Sequence, residues 1–354
     1  MRLFKSKFDW DFDSRPCKRV RNRPIYLARG KVLGGSSCIN ALLYHRGNAN
    51  DYDSWAAVTG YDEWSAKNVL PYFKKSENFE KGANEHHGGS GEFYVSEVRY
   101  QNVLTDTYLK ACEEQKFSRN DDFNDWSTSQ EGYGPYHLMT KNGERCSAAS
   151  AFLEPIIKSR KNLKIVTKTN ANKILFKGNN AVGVEATDHD GKLQTFTLRP
   201  GGEVLLSGGA INSPQVLMLS GVGPKRHLKE LGIEPIVDLP GVGQNLQDQP
   251  AVALSYEVSK GNEGISVTSQ IRNRFIPGFP SFRSLAQWAF RRTGPLTSTG
   301  CNHGGFFKTS PQEISPDLQL RFLPARAVTP DGMTSFTTVI ALIDVRIFLR
   351  ILMF

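Results

Sequence analysis

Cysteine is scarce. The chain has five, Cys17, Cys38, Cys112, Cys146 and Cys301, an odd number with no Cys-x-x-Cys spacing. That pattern speaks against both a zinc site and a disulfide framework. Long apolar runs are also missing: no stretch reaches the roughly 18 residues of a membrane span. Ile340 to Phe354 is greasy but is broken by Asp344, Arg346 and Arg350. Met1 to Trp10 alternates charge with aromatics and lacks the apolar core of a signal peptide. There is no Gly-x-Ser-x-Gly, so no hydrolase nucleophile elbow is expected. Neither a repeat nor a low-complexity segment is present.

What remains is ordinary globular composition. The chain has 354 residues, 39% hydrophobic and 22% charged, enough for about two domains of roughly 150 residues. The net charge of +9 is unevenly placed. Residues 1–31 carry ten Lys and Arg against three Asp, and residues 272–354 carry ten against four acids. The body between them is slightly acidic. A nucleic-acid binder usually spreads a basic face over its folded core, so Arg15, Lys18, Arg19, Arg21 and Arg23 read as a solvated segment and no nucleic-acid partner is expected.

Local patterns give a mixture of helices and strands. Ser65 caps a helix beginning Ala66 to Phe73, and Val103, Leu104, Tyr108, Ala111 and Cys112 have helical spacing over 103–116. Glu92 to Val95 reads as a strand. Ser147 fits an N-cap for a helix through Leu153. Leu163 to Thr167 reads as a strand, and Lys173–Phe176, Ala181–Ala186 and Leu193–Leu198 form an antiparallel meander turning at Gly178-Asn179-Asn180. Glu203 to Ser207 reads as a buried strand. A helix then opens at Ser213-Pro214 and stops at Gly221.

Three glycine-bearing segments carry the chemistry. Arg29 to Asn40 includes Gly30, Gly34-Gly35 and Ser36-Ser37, where backbone can approach a ligand and hydroxyls suit a pyrophosphate. A strand, Gly208-Gly209 and a helix follow at 203–221 in the manner of a nucleotide-binding βα unit. Asp238 to Leu246 is the third.

In order and spacing these segments resemble the glucose–methanol–choline (GMC) family of FAD-dependent oxidoreductases. Gly30, Gly34-Gly35-Ser36-Ser37, Asn40, Tyr44, Gly47 and Asp53 fit its first signature, and Gly209 to Pro214 with Leu219 to Gly223 fit its second. Val69 to Glu77 and Gly143-Glu144-Arg145 with Ser147 to Leu153 are similar to family segments between them. The wording is closest to the animal glucose dehydrogenase branch. The resemblance implies an α/β fold, in which an incomplete doubly wound FAD-binding sheet is interwoven with an α+β substrate domain. Residues 1–28 would be an irregular basic segment, 29–250 the FAD-binding domain without its first βαβ, 251–325 the start of the substrate domain, and 326–354 a tail outside the family pattern.

The implied activity is oxidation of a small alcohol or sugar by hydride transfer to flavin N5, with oxygen or a quinone as electron acceptor. The implied cofactor contacts are Val32, Gly35, Ser36, Asn40, Ala41, Leu42 and Leu43, with Ala171 contacting adenine through its main chain. Ile39 stands where some members attach flavin through a His, which implies non-covalent FAD. No Gly-x-Gly-x-x-Gly turn occurs: Gly221-Val222-Gly223 and Gly241-Val242-Gly243 both lack the third glycine. The family's catalytic His pair is expected beyond Phe354, so no catalytic residue and no metal ligand is assigned, and the chain reads as truncated at both ends. Gln249 replaces a usual His. His86-His87 read as a loop, and His303 as a loop or core residue near the substrate region. The branch implies secretion for a longer parent chain. The alternative reading is a non-catalytic remnant or binding protein without flavin.

Overall fold

The computed structural model describes residues 3–325 apart from Lys260, Glu263, Arg274 and Pro277, together with the backbone of residues 338–345. The described residues form two compact units, residues 3–160 with 249–325 and 338–345, and residues 161–248.

The first unit begins with a short antiparallel pair, β1 (Phe12–Asp13) and β2 (Tyr26–Leu27). Two helices follow the glycine loop, α1 (Ala49–Thr59) and α2 (Ala66–Ser76). The sequence reading had no helix at 49–59. It is started by a capping box, in which the Asn48 side chain accepts from the first turn and Asp51 accepts from the Asn48 N–H at 2.8 Å. The Tyr52 ring on α1 packs 5.7 Å from Phe73 on α2, and both meet Trp126, at 5.3 and 5.9 Å. Ser65 is at the N-cap of α2 as expected, but its side chain makes no capping hydrogen bond. The strands β3 (Glu77–Phe79) and β4 (Phe93–Val95) form a parallel pair, and α3 spans Val103–Glu114. Then come β5 (Gly132–Pro135) and a hairpin of β6 (Thr140–Lys141) and β7 (Glu144–Arg145). Ser147 Oγ accepts from Ser150 N–H at 3.1 Å, but the expected helix is a single wide turn at Ala149–Leu153 whose N-cap is Ala148, without a side-chain cap.

The second unit opens with the meander in the expected order, β8 (Thr169–Lys177), β9 (Asn180–Asp188) and β10 (Leu193–Thr197). Two expected strands are absent. Residues 163–167 pair with nothing in a ladder, and Glu203–Ser207 is irregular with Leu205 84% exposed. A strand exists only through its hydrogen-bonded neighbours, and among the described residues none lies beside 203–207. The helix α4 runs Gly209–Leu219, so Pro214 is inside it and does not open it. Its end before Gly221 is as expected. Past it, β11 (Val222–Gly223) and β12 (Val237–Asp238) pair in parallel around α5 (Lys225–Glu230).

The chain then returns to the first unit with β13 (Ala251–Glu257), α6 (Val267–Ile271), α7 (Phe282–Arg291), β14 (His303–Phe307), β15 (Leu318–Leu323) and β16 (Thr338–Val345). These strands and β5 form a five-stranded antiparallel sheet of order β13-β16-β15-β14-β5. Of the expected tail at 326–354, residues 326–337 and 346–354 lie outside the described residues, while 338–345 pair between β13 and β15. Phe123, Tyr136 and Phe306 form a buried cluster with Leu43 against it. Parallel pairing among the described residues is limited to the two short pairs and a single bridge between Arg119 and Tyr133, beside antiparallel sheets and helices. The α/β class holds.

Candidate functional site

The loop from Gly30 to Leu43 is held from two sides. Its Gly30 N–H donates to Ser36 Oγ at 3.1 Å. A Cβ at Gly30 would lie 2.3 Å from the Gly35 carbonyl oxygen, so only glycine permits this close return. Ser37 Oγ donates to Gly34 O at 2.5 Å and accepts from Ala148 N–H at 2.9 Å. From β7, Arg145 closes the loop with three hydrogen bonds: Nη1 to Ser37 O (2.9 Å) and Asn40 Oδ1 (2.8 Å), and Nη2 to Asn40 O (2.9 Å). The sequence reading had placed Arg145 in a family segment without a role. Its charged, bidentate fork explains why a guanidinium is used.

Seven of the eight expected cofactor residues therefore sit on one clamped loop. Val32, Ser36 and Ala41 are exposed, and Gly35, Asn40 and Leu43 are half-buried. Leu42 differs: its side chain is 9% exposed, its φ is +63°, and its carbonyl accepts from Met139 N–H at 2.8 Å. Its N–H is taken as well, by Asn40 Oδ1 at 3.1 Å, so Leu42 shapes the loop from within it. Ile39 is also buried. Ala171 lies in the second unit, exposed, opposite Ala186 in the β8–β9 ladder.

The loop suits a dinucleotide. Gly35 has φ +57°, and the position of its missing Cβ has no atom within 4 Å. The Gly35 N–H is given to Val32 O at 2.8 Å, but the free space over Gly35, beside the exposed Ser36 hydroxyl and the exposed Val32 and Leu33, fits a phosphate group next to an apolar ring system.

Three residues past the loop, Arg46 begins an ionic network that the sequence alone does not show. Arg46 Nη2 meets Glu77 Oε2 at 2.5 Å, both side chains fully buried. Glu77 also accepts from Gly88 N–H at 2.7 Å and contacts His87 Nδ1 at 3.0 Å. His87 Nε2 reaches Asp122 at 2.8 Å, and its ring stacks on Phe79 at 4.1 Å. Burial works to lower the His87 pKa, but the hydrogen bonds and charges of Asp122 and Glu77 override it and raise it to about 8. Burial works to raise the Asp122 carboxyl, and the bond from His87 reverses this and holds it below its usual value. His137 is pushed down by burial, and its Nδ1 faces the Asn124 amide at 3.2 Å. His87, Asp122 and His137 bring potential ligand atoms within 4.8 Å of one another, yet both His87 nitrogens are committed to carboxylates. The visible signal was His86-His87-Gly88-Gly89, ten residues after Glu77.

Two further histidines are neutral, His303 buried and His45 half-buried with its ring nitrogens inaccessible. His303 is on β14 and not in a loop, and burial lowers its pKa to about 4. His45 sits edge-on to Tyr136 (4.6 Å) and Phe306 (5.2 Å), and neither ring nitrogen has a protein hydrogen-bond partner. Burial, then the charge of Arg321, lowers it to about 3.

A glycine loop with free space over one position, clamped by an arginine, is a place where a phosphate-bearing ligand can approach. The chain belongs to the GMC oxidoreductase family, whose model matches residues 14–251. Its relatives include the chloroplastic fatty acid photodecarboxylase of Chlamydomonas reinhardtii, 44% identical over 93% of this chain and 53% of the relative. The alcohol dehydrogenase [acceptor] of Pseudomonas putida is 40% identical over 90% of this chain and 56% of the relative. The oxygen-dependent choline dehydrogenase of Brucella melitensis is 39% identical, over 92% and 56%. The chain thus spans about half the length of the curated relatives it matches. In fold it is similar to the FAD-dependent oxidoreductase of Chaetomium thermophilum (TM-score 0.81, 24% identity, 96% of this chain and 65% of that one). It is also similar to the pyridoxine 4-oxidase of Mesorbium loti (TM-score 0.79, 23% identity, 96% and 61%). The family's cofactor is FAD. Among the described residues, no helix is long and apolar enough to cross a membrane.

Proposed function

We propose that this chain serves a FAD-dependent oxidoreductase that acts on a CH–OH donor. The carrying observation is the Gly30–Leu43 loop, closed by Arg145 and open at Gly35. Val32, Gly35, Ser36, Asn40, Ala41, Leu42 and Leu43 would hold the pyrophosphate and the ring system, and Ala171 the adenine. When bound, FAD supplies a hydride acceptor at N5. The chain's own part is positioning. Arg145 fixes the Asn40 backbone and side chain, Gly35 lets phosphate approach, and the buried Leu42 and Ile39 exclude water below the loop. Ile39 offers no nitrogen for a covalent link, so the flavin is released by acid precipitation. Residues 29–250 belong to the flavin side in this reading and 251–325 to the substrate side. The donor is a small alcohol or a sugar, as in the glucose dehydrogenase-like branch, and the electrons pass to oxygen or a quinone.

A second reading rests on the 44% identity to the photodecarboxylase, and is light-driven decarboxylation of a fatty acid with the same flavin. The test begins with the visible spectrum after incubation with FAD and gel filtration. Retained flavin absorption is expected. Dark turnover of alcohols or glucose with an artificial acceptor supports the first reading. Carbon dioxide released from a fatty acid only under illumination supports the second. A colourless protein removes both and leaves a binding protein without flavin.

A further inference from the structure

Helix α7 leaves part of its apolar side exposed. On a 3.6-residue period Phe282, Ala286, Ala289 and Phe290 share one arc, and all four are exposed. The arc facing the body of the unit carries buried Ser284 and half-buried Leu285, Gln287 and Trp288. Phe290 is 87% exposed and Phe282 63%. The loop before the helix adds Phe275, 89% exposed, with Ile276 and Phe279 also exposed. The Phe279 and Phe282 rings meet at 6.2 Å. One exposed phenylalanine needs no explanation, but such a group within residues 275–290 does.

The loop is propped and not merely loose. Buried Asn273 accepts at Oδ1 from Phe275 N–H (2.9 Å) and Ile276 N–H (3.0 Å), and donates from Nδ2 to Pro280 O (3.2 Å). Ser281 Oγ and Ser284 Oγ both donate to Gln270 O, at 2.9 and 3.0 Å. These bonds hold Phe275 and Ile276 outward from a fixed base.

Charge selects the occupant. Between Glu263 and Glu313 the sequence has no Asp or Glu, while Arg272, Arg274, Arg283, Arg291, Arg292 and Lys308 fall in that interval. Arg272 and Arg283 are exposed, and among the described residues no carboxylate pairs with them; Arg291 is exposed too but lies across the helix from the phenylalanines. Arg292 does pair, with Glu144 at 2.6 Å. A second copy of this face would set arginines against arginines with no acid to neutralise them, which is repulsive. An anionic lipid surface satisfies both halves of the pattern. Rings enter the acyl boundary while guanidinium groups stay among the headgroups.

We propose that the face formed by residues 272–292 docks this protein peripherally on an anionic membrane. The inference does not depend on flavin binding. The test is flotation with vesicles made of equal parts phosphatidylcholine and phosphatidylserine, against phosphatidylcholine alone. The protein is expected to float with the anionic vesicles and to be released as salt screens the charges. Phe275→Ser with Phe290→Ser should abolish flotation while leaving the far-ultraviolet circular dichroism unchanged, since both rings are outside the core. Arg283→Gln should weaken binding by about fivefold. A folded protein that stays at the bottom of the gradient at low salt overturns the proposal. So does flotation that the double phenylalanine variant retains. So does a concentration-dependent dimer, by analytical ultracentrifugation, that the double variant alone disrupts.

Discussion

Gly30 and Gly35 stand five positions apart and do opposite things. At Gly30 a methyl group would strike backbone atoms that cannot turn aside, the Gly35 carbonyl oxygen and carbon at 2.3 and 2.4 Å. Gly30→Ala is expected to destabilise by about 3 kcal/mol, as an overpacked site does. At Gly35 the methyl meets open space, and the strain comes only from φ +57°, roughly 1 kcal/mol. Gly35→Ala should therefore melt close to the parent yet lose FAD on gel filtration. Thermal melts of both variants beside their flavin absorbance check this. Equal loss of stability at the two positions would refute the division of labour. The sequence showed both as glycines in a serine-rich run but not which was structural, because that depends on the chain returning over itself. Arg145 illustrates the same limit: its partners Ser37 and Asn40 lie more than a hundred residues earlier.

Elements were legible where their signals are local. Helices α2 and α3 and the β8–β9–β10 meander follow from the serine at 65, apolar spacing and a Gly-Asn-Asn turn. Helix α1 escaped because its apolar residues lack a clear period; it is held by its cap and by the rings around Tyr52. Asn48→Ala should therefore cost about 1 kcal/mol, read as a lower denaturant midpoint with an unchanged slope. Residues 203–207 erred the other way. Their apolar run is a sound strand pattern, but a pattern cannot supply the neighbouring strands on which a ladder depends. The five-stranded sheet was illegible for the related reason that its pairings join segments such as 132–135 and 303–307.

The whole molecule should lose stability at both ends of the pH scale, through different histidines. His87 is raised to about 8 in the folded protein, above the roughly 6.5 of an unfolded chain. Its contribution, on the order of 2 kcal/mol, is complete below about pH 6.5 and is lost as pH rises through about 8. His45 at about 3 and His303 at about 4 are neutral when folded. The unfolded chain takes up their protons first, so their contribution is complete above about pH 6.5 and falls away on acidification. Urea midpoints between about pH 5 and about pH 9 should trace a dome, and His87→Asn should flatten its alkaline side alone.

The pairing of β5 with β14 also imposes a schedule. A ribosome adds roughly 5–20 residues per second, so the strand at 303 follows the one at 132 by on the order of ten to thirty seconds. Through that interval Phe123 and Tyr136 have no Phe306 to cover them, and the Gly132–Pro135 edge has no partner. The nascent chain is a natural client for chaperones during that wait, and slowing translation between the two strands would lengthen its exposure and lower the yield of folded protein.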